Sequence, residues 1–229
     1  MLKAGVIIMK VYVRTYKNML IIVACLSCSA MALLYANAAQ TAQTRECLAA
    51  WRPAAKPGAA ASHSPAEFSS SNELAVLVRS NESAVLGGSG GAAKTGPLHS
   101  YYSRGWNSGG QWWQLSGIST LGYKSIELSF ATRGSGTGPR NFKLEYSLDG
   151  HEWLPLVDSG NASISYAVDA DNKFHHHGPY LLSAGVDSLG ELYIRFLNTD
   201  TESVLGGATS SSGTNYIADI VITGMADDP

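Results

Sequence analysis

Hydrophobic and polar residues alternate with a period of two in three segments of the chain. In "YKSIELSF", 123–130, the apolar residues Ile126, Leu128 and Phe130 are separated by single polar residues. "NFKLEYS", 141–147, and "ELYIRFL", 191–197, repeat this alternation. Because successive side chains of a strand point to opposite faces, the pattern predicts antiparallel strands with one buried face.

Shorter strands are predicted between clusters of Gly, Ser, Asn and Asp, and no segment has the pattern of an amphipathic helix. "SLDG", before "HEWLPL", is typical of a hairpin turn. Some ten short strands predict an all-β fold, a two-sheet antiparallel β-sandwich of jelly-roll type over 67–229. The shorter strands are predicted at 74–79, 99–103, 111–117, 152–157, 163–168, 179–183 and 216–223.

The first 39 residues have the pattern of a secretory signal peptide. They contain four bases and no acid, then an uncharged apolar run, 19–36, and the small-residue end Ala36-Asn37-Ala38. An uncleaved membrane anchor is the alternative, since the run is about long enough to span a bilayer. A lipoprotein signal at "IVAC", 22–25, is less favoured because the apolar stretch before Cys25 is short. The predicted location is secreted, either extracellular or at the cell surface.

Residues 40–66 are rich in Ala, Ser and Pro and predict a flexible tether. Trp51 is unusual in such a segment and is a candidate for docking on the domain. Cys47 is the single cysteine left after cleavage, so no disulfide within the mature chain is expected.

The charge of the mature chain argues against nucleic acid as a partner. The whole chain has 16 basic and 18 acidic residues, and loss of four bases with the signal leaves a net charge of −6. Binding to a polyanion needs a clustered basic face.

The glycine-rich stretch Gly134 to Pro139 lies between two alternating segments. A phosphate-binding loop is followed by a helix, whose amides hold the anion. Here a predicted strand follows instead, so we interpret the stretch as a long, flexible connection. Arg133 and Arg140 flank it and are candidates for contact with an acidic ligand or for surface ion pairs.

Five aromatic residues are concentrated between Tyr101 and Leu115. Exposed Tyr and Trp rings suit sugar rings and protein surfaces. Trp112 and Trp113 occupy adjacent strand positions, so one is expected in the core and the other outside. The candidate ligand-binding residues are Tyr101, Tyr102, Trp106, Trp112 and Trp113.

No motif indicates catalysis, a cofactor or a metal. His175 and His177 share a strand face, with Asp169 and Asp171 as further candidate ligands, but a solvated loop is favoured. "DADN", 169–172, lacks a full set of calcium ligands. Arg195 and Asp219 are interpreted as a structural ion pair.

Three segments resemble a family of extracellular bacterial β-sandwich modules. They are "LSGISTLGYKSIELSFATRGSGTGPRNFKLEYSLDGHEW", 115–153, "LYIRFLNTD", 192–200, and "GTNYIADIVITG", 213–224. The resemblance implies a jelly roll, similar in shape to galactose-binding domains, and a function that is mostly unassigned. Ala218 departs from the family pattern, because an acidic residue is common there.

These observations predict a secreted, non-catalytic module that binds glycan or a cell-surface partner. The alternative is a structural or assembly module of the cell envelope or extracellular matrix, without a small ligand. No nucleic-acid partner is expected, and contact with a membrane is expected only through an uncleaved signal anchor.

Overall fold

Two antiparallel β-sheets form the part of the chain that the computed structural model describes, residues 44–52, 63–65, 68–69, 75–80 and 100–227. All of these residues belong to one compact unit, Thr44–Pro229. The predicted signal peptide, 1–39, lies outside the described residues.

One sheet has six strands in the order β11-β7-β13-β1-β3, and β5 also pairs with β13. The centre of this sheet is the pair β7 and β13, which are the two longest strands of the described chain. The six strands are β1 Arg45–Trp51, β3 Phe68–Ser69, β5 Tyr101–Ser103, β7 Tyr123–Gly134, β11 His175–Leu181 and β13 Asn215–Ala226.

The other sheet has seven strands in the order β10-β8-β12-β6-β4-β2, and β9 also pairs with β8. From β5 to β8, successive strands alternate between the sheets, which agrees with the predicted jelly-roll type. The seven strands are β2 His63–Pro65, β4 Val76–Arg79, β6 Trp112–Ile118, β8 Asn141–Ser147, β9 Leu154–Pro155, β10 Ser165–Ala167 and β12 Leu192–Asn198.

The core lies between the inner faces of the two sheets. The apolar rows predicted from the alternation face each other there, including Ile126, Leu128, Phe130, Leu144 and Phe196, each at most 1% exposed. Burial of large side chains contributes about 1.5–3 kcal/mol each. The all-β sandwich predicted from the sequence is therefore confirmed.

The predicted tether differs from the structure at β1, Arg45–Trp51. This strand pairs with β13 from Arg45↔Met225 to Trp51↔Ile220, and Leu48 and Trp51 are fully buried. The expectation of a flexible tether over all of 40–66 is wrong at these positions, because their apolar side chains complete the core. Trp51 docks on the domain, and Cys47 is a free, half-buried thiol whose pKa is raised by burial.

The glycine-rich connection between β7 and β8 is packed, not a loose loop. Gly138 N donates to Ser135 O at 2.8 Å, and Ser135 N donates to Thr214 O at 2.9 Å. A side chain at Gly138 would overlap Thr214 O, and one at Gly213 would overlap Thr137 O. These glycines permit two backbone segments to pack directly together.

Candidate functional site

Three of the five predicted ligand-binding aromatics lie in the core. Tyr101, Trp106 and Trp113 have no exposed surface, and Trp106 packs against Trp113 with ring centroids 5.9 Å apart. The indole N–H groups of the two tryptophans donate hydrogen bonds inside the domain, Trp113 to Asn215 Oδ1 at 2.8 Å and Trp106 to Ser103 O at 3.0 Å. The prediction of ligand contact is therefore corrected for these three residues, because a ligand at the surface does not reach them.

The other two aromatics, Tyr102 and Trp112, are half-buried and lie on opposite sheets. Tyr102 pairs with Tyr216 in the six-stranded sheet, and Trp112 pairs with Leu197 in the seven-stranded sheet. Tyr102 and Trp112 are close together in the sequence, but the fold places them in different sheets.

Trp112 belongs to a continuous set of side chains on the outer face of the seven-stranded sheet, which are half-exposed except for the buried Glu145 and Ser147. Strand register arranges this set in three rows across β8, β12 and β6. We call this surface the outer platform, and its rows are Lys143-Leu197-Trp112, Glu145-Arg195-Gln114 and Ser147-Tyr193.

A charged network fills the middle of the outer platform. Arg195 Nε donates to Glu145 Oε2 at 2.6 Å, and Lys143 Nζ lies 2.8 Å from Glu145 Oε1. Burial alone would raise the pKa of Glu145, but the hydrogen bonds from Lys143 and Arg195 lower it overall. The carboxylate therefore stays ionised, and its two cationic partners are fixed in position.

The predicted pair of Arg195 with Asp219 is wrong. Arg195 lies in β12 of the seven-stranded sheet, and Asp219 lies in β13 of the other sheet. Asp219 has a φ of 47° at a bulge between Ala218 and Val221. The partner of Arg195 is Glu145, directly opposite it on the neighbouring strand.

Two more aromatic rings border the network. The guanidinium carbon of Arg195 lies 4.1 Å from the centroid of the Trp153 ring. The Tyr193 hydroxyl group donates a hydrogen bond to Glu191, which raises the pKa of the phenol. Tyr193 also lies against Gly150, in the turn where backbone amides and Ser147 lower the pKa of Asp149 to about 2. Both rings are half-buried and so present one side to the surface.

The backbone of Trp112 is held by Ser80, the residue that follows β4. Trp112 N donates to Ser80 Oγ and Ser80 N donates to Trp112 O, both at 3.1 Å. The buried Arg79 donates to the same Ser80 hydroxyl at 2.6 Å. Trp112 is thus held by the exposed Ser80, whose hydroxyl group is in turn held by the buried Arg79.

The outer platform combines flat apolar rings with fixed donors and acceptors. Rows two residues apart are about 7 Å apart and neighbouring strands about 4.8 Å apart. The three rows thus cover roughly 14 Å by 10 Å, enough for several groups of an extended ligand. Of the residues in the outer platform, Trp112 alone was predicted from the sequence to contact a ligand. The alternation in "NFKLEYS" and "ELYIRFL" placed the platform residues of β8 on one face of their strand and those of β12 on one face of theirs. It did not show that the two strands lie side by side.

The candidate metal ligands are used for other contacts. His175 lies between two carboxylates, 3.2 Å from Asp169 and 2.8 Å from Asp171. His177 instead faces inward, with Nε2 2.8 Å from Thr132 Oγ1. Within the described ranges, no group of three or more His, Cys, Asp or Glu side chains is arranged to hold a metal ion.

Among the residues that the structure describes, no helix has the length and apolar character that a membrane span requires.

Comparison with solved structures finds β-sandwich domains at low similarity. The N-terminal cellulose-binding domain of Cellulomonas fimi β-1,4-glucanase C has 11% identity and a TM-score of 0.35, covering 57% of this chain and 80% of that one. TmCBM61, solved with β-1,4-galactotriose, has 11% identity and a TM-score of 0.37, covering 66% and 88%. The K3 adhesin domain of Lys-gingipain from Porphyromonas gingivalis has 12% identity and a TM-score of 0.33, covering 55% and 73%. TM-scores below 0.5 carry no functional conclusion for this chain.

No family model and no curated protein matches the sequence. The resemblance to extracellular modules therefore rests on its three segments, while its implied β-sandwich is confirmed by the strands.

Proposed function

We propose that this protein is a secreted, non-catalytic module that binds glycan through the outer platform. The observation that carries the proposal is the arrangement of Trp112, Trp153 and Tyr193 around the Glu145-Arg195-Lys143 network. Half-buried rings offer apolar faces for the C–H surface of a sugar. Ionised side chains and Gln114 offer donors and acceptors for its hydroxyl groups.

The contacts within the outer platform favour binding because they fix its side chains beforehand. Arg195 is held by Glu145 and by the Trp153 ring, and Trp112 is held through Ser80. Ordering flexible side chains costs about 0.5–1.5 kcal/mol each on binding, and a fixed surface avoids much of that cost.

The test is binding of the purified protein to a glycan array and to insoluble polysaccharides. Trp112→Ala and Trp153→Ala are each expected to weaken the affinity for a retained glycan at least about tenfold. Leu181→Ala is the matched control, because Leu181 is an exposed apolar residue on the other sheet, and it should leave the affinity unchanged.

Two results would contradict the proposal. One is the absence of any glycan ligand together with co-purification of one defined protein, which would favour the assembly module. The other is release of glycan fragments by the purified protein, abolished by a single carboxylate substitution, because the module would then be an enzyme.

A further inference from the structure

Arg133 lies in a row of aromatic residues on the outer face of the six-stranded sheet. Tyr216 of β13 pairs with Arg133 of β7 on one side and with Tyr102 of β5 on the other. Phe174 directly precedes His175, which pairs with Thr132, so Phe174 stands beside Arg133. We call these four residues, Phe174, Arg133, Tyr216 and Tyr102, the Arg133 row.

The aromatic rings hold the guanidinium group of Arg133 in place. Its central carbon lies 4.1 Å from the Tyr216 ring centroid and 5.2 Å from that of Phe174. The Tyr216 ring is 5.9 Å from the Tyr102 ring, at an angle of 45°. Such cation–π contacts attract the guanidinium group to the faces of the aromatic rings.

The positive charge of Arg133 has no carboxylate partner within the described part of the chain. The residue is 7% exposed, and its Nε is buried without a hydrogen bond. Acidic side chains around this end of the sandwich have other partners, because Asp169 and Asp171 contact His175 and Glu202 contacts Arg140.

The four other buried or half-buried arginines of the described residues differ from Arg133 in this respect, and Arg45 and Arg140 are paired with Glu127 and Glu202. Arg79 donates hydrogen bonds to Ser103, Ser80 and Arg104, and Arg195 is paired with Glu145. Among the described residues, Arg133 Nε is thus a buried polar atom without a partner, which is costly and calls for an explanation.

We propose that the Arg133 row binds the carboxylate of an acidic sugar, such as a uronic acid residue in a polysaccharide. A guanidinium group matches a carboxylate with two parallel hydrogen bonds. Tyr216 lies beside the cation and Tyr102 lies beside Tyr216, so the two rings offer apolar faces to the pyranose ring that carries the carboxylate. The choice of a sugar rests on the proposed function, but the residues belong to the opposite sheet.

The test compares two probes of equal length, a trimer of galacturonic acid and the neutral trimer of galactose, by titration calorimetry. The acidic trimer is expected to bind at least about tenfold more tightly than the neutral one. Its affinity should fall as salt is raised, because the attraction is electrostatic.

Four variants locate the site. Arg133→Gln should abolish the preference for the acidic trimer, and Arg133→Lys should weaken it about tenfold because lysine lacks the planar pair of donors. Tyr102→Leu should weaken it without removing the cation, which keeps the test valid if Arg133→Gln does not fold. Arg140→Gln is the matched control and should change nothing, because Arg140 is already paired with Glu202.

The proposal is overturned if both trimers bind equally, if neither binds, or if Arg133→Lys and Tyr102→Leu bind the acidic trimer like the unchanged protein. Binding of an acidic peptide in place of the acidic trimer would overturn it as well. Trp112→Ala separates the two sites, since it should leave the preference for the acidic trimer intact even if the outer platform binds nothing.

Discussion

The guanidinium carbon of Arg79 lies 3.5 Å from the centroid of the Trp106 ring, inside the sandwich. Arg79 Nε donates to Ser103 Oγ at 2.8 Å, and Trp106 donates to Ser103 O. Burial lowers the pKa of Arg79 to about 9. Through the Ser80 hydroxyl group, Arg79 of this stack also holds the backbone of Trp112.

Truncating Trp106 should therefore affect stability. Trp106→Ala is expected to lower the free energy of unfolding by about 3–5 kcal/mol, because it leaves a cavity and uncovers Arg79. Urea unfolding followed by far-UV circular dichroism measures the loss. A loss below about 1 kcal/mol, with weaker glycan binding, would mean that Trp106 is a ligand contact after all.

Alternation along the strands predicted most of the fold, and its limits explain the errors. It correctly placed Trp112 and Trp113 on opposite faces, and alternation with the inward residue Leu115 puts Trp113 in the core. Trp106 lies outside any strand, so no alternation revealed that it is buried. Its aromatic character alone indicated a ligand contact.

Strand β1 was not predictable because its partner is distant in sequence. "RECLAAW" shows no clear alternation, and a bulge between Cys47 and Ala49 interrupts its register with β13. The surrounding Ala and Pro residues favoured a tether. The outer platform was not predictable for a related reason, because its three rows form only when β8, β12 and β6 pair side by side.

The pair of Glu145 and Arg195 should show strong energetic coupling. Glu145→Gln leaves Arg195 without its carboxylate, and Arg195→Gln leaves the buried Glu145 with Lys143 alone. Each change is expected to cost about 1–3 kcal/mol. The double variant should cost less than the sum of the two, by about 1–2 kcal/mol in a double-mutant cycle of unfolding free energies. Additive effects would show that the contact does not stabilise the domain.

The packed glycine connection should not tolerate a methyl group. Gly138→Ala and Gly213→Ala are each expected to cost about 1–3 kcal/mol or more, because the added carbon overlaps the backbone of the facing segment. Gly190→Ala is the control, since nothing lies within 4 Å of its added carbon, and it should change stability by less than about 0.5 kcal/mol. If Gly138→Ala and Gly213→Ala changed stability as little as Gly190→Ala, the connection would be loosely packed.

Protonation of His177 should destabilise the domain in mild acid. The imidazole stacks on Phe130, with ring centroids 4.9 Å apart, and lies 4.6 Å from the Tyr166 ring. Burial, followed by the charge of His175, lowers the pKa of His177 from 6.5 to about 4. The unfolded chain therefore takes up a proton near pH 6.5, whereas the folded domain takes it up only near pH 4.

The stabilisation by neutral His177 is thus complete above about pH 6.5 and is lost as the pH falls toward 4. Partial exposure reduces the effect, which we expect to be about 1–3 kcal/mol. Urea unfolding between pH 7.5 and 4 should show a shallower decline in His177→Gln than in the unchanged protein. His176→Gln replaces the exposed neighbour and should keep the full decline. If His177→Gln keeps it too, the loss of stability originates at other groups, and the neutral, stacked His177 is not its source.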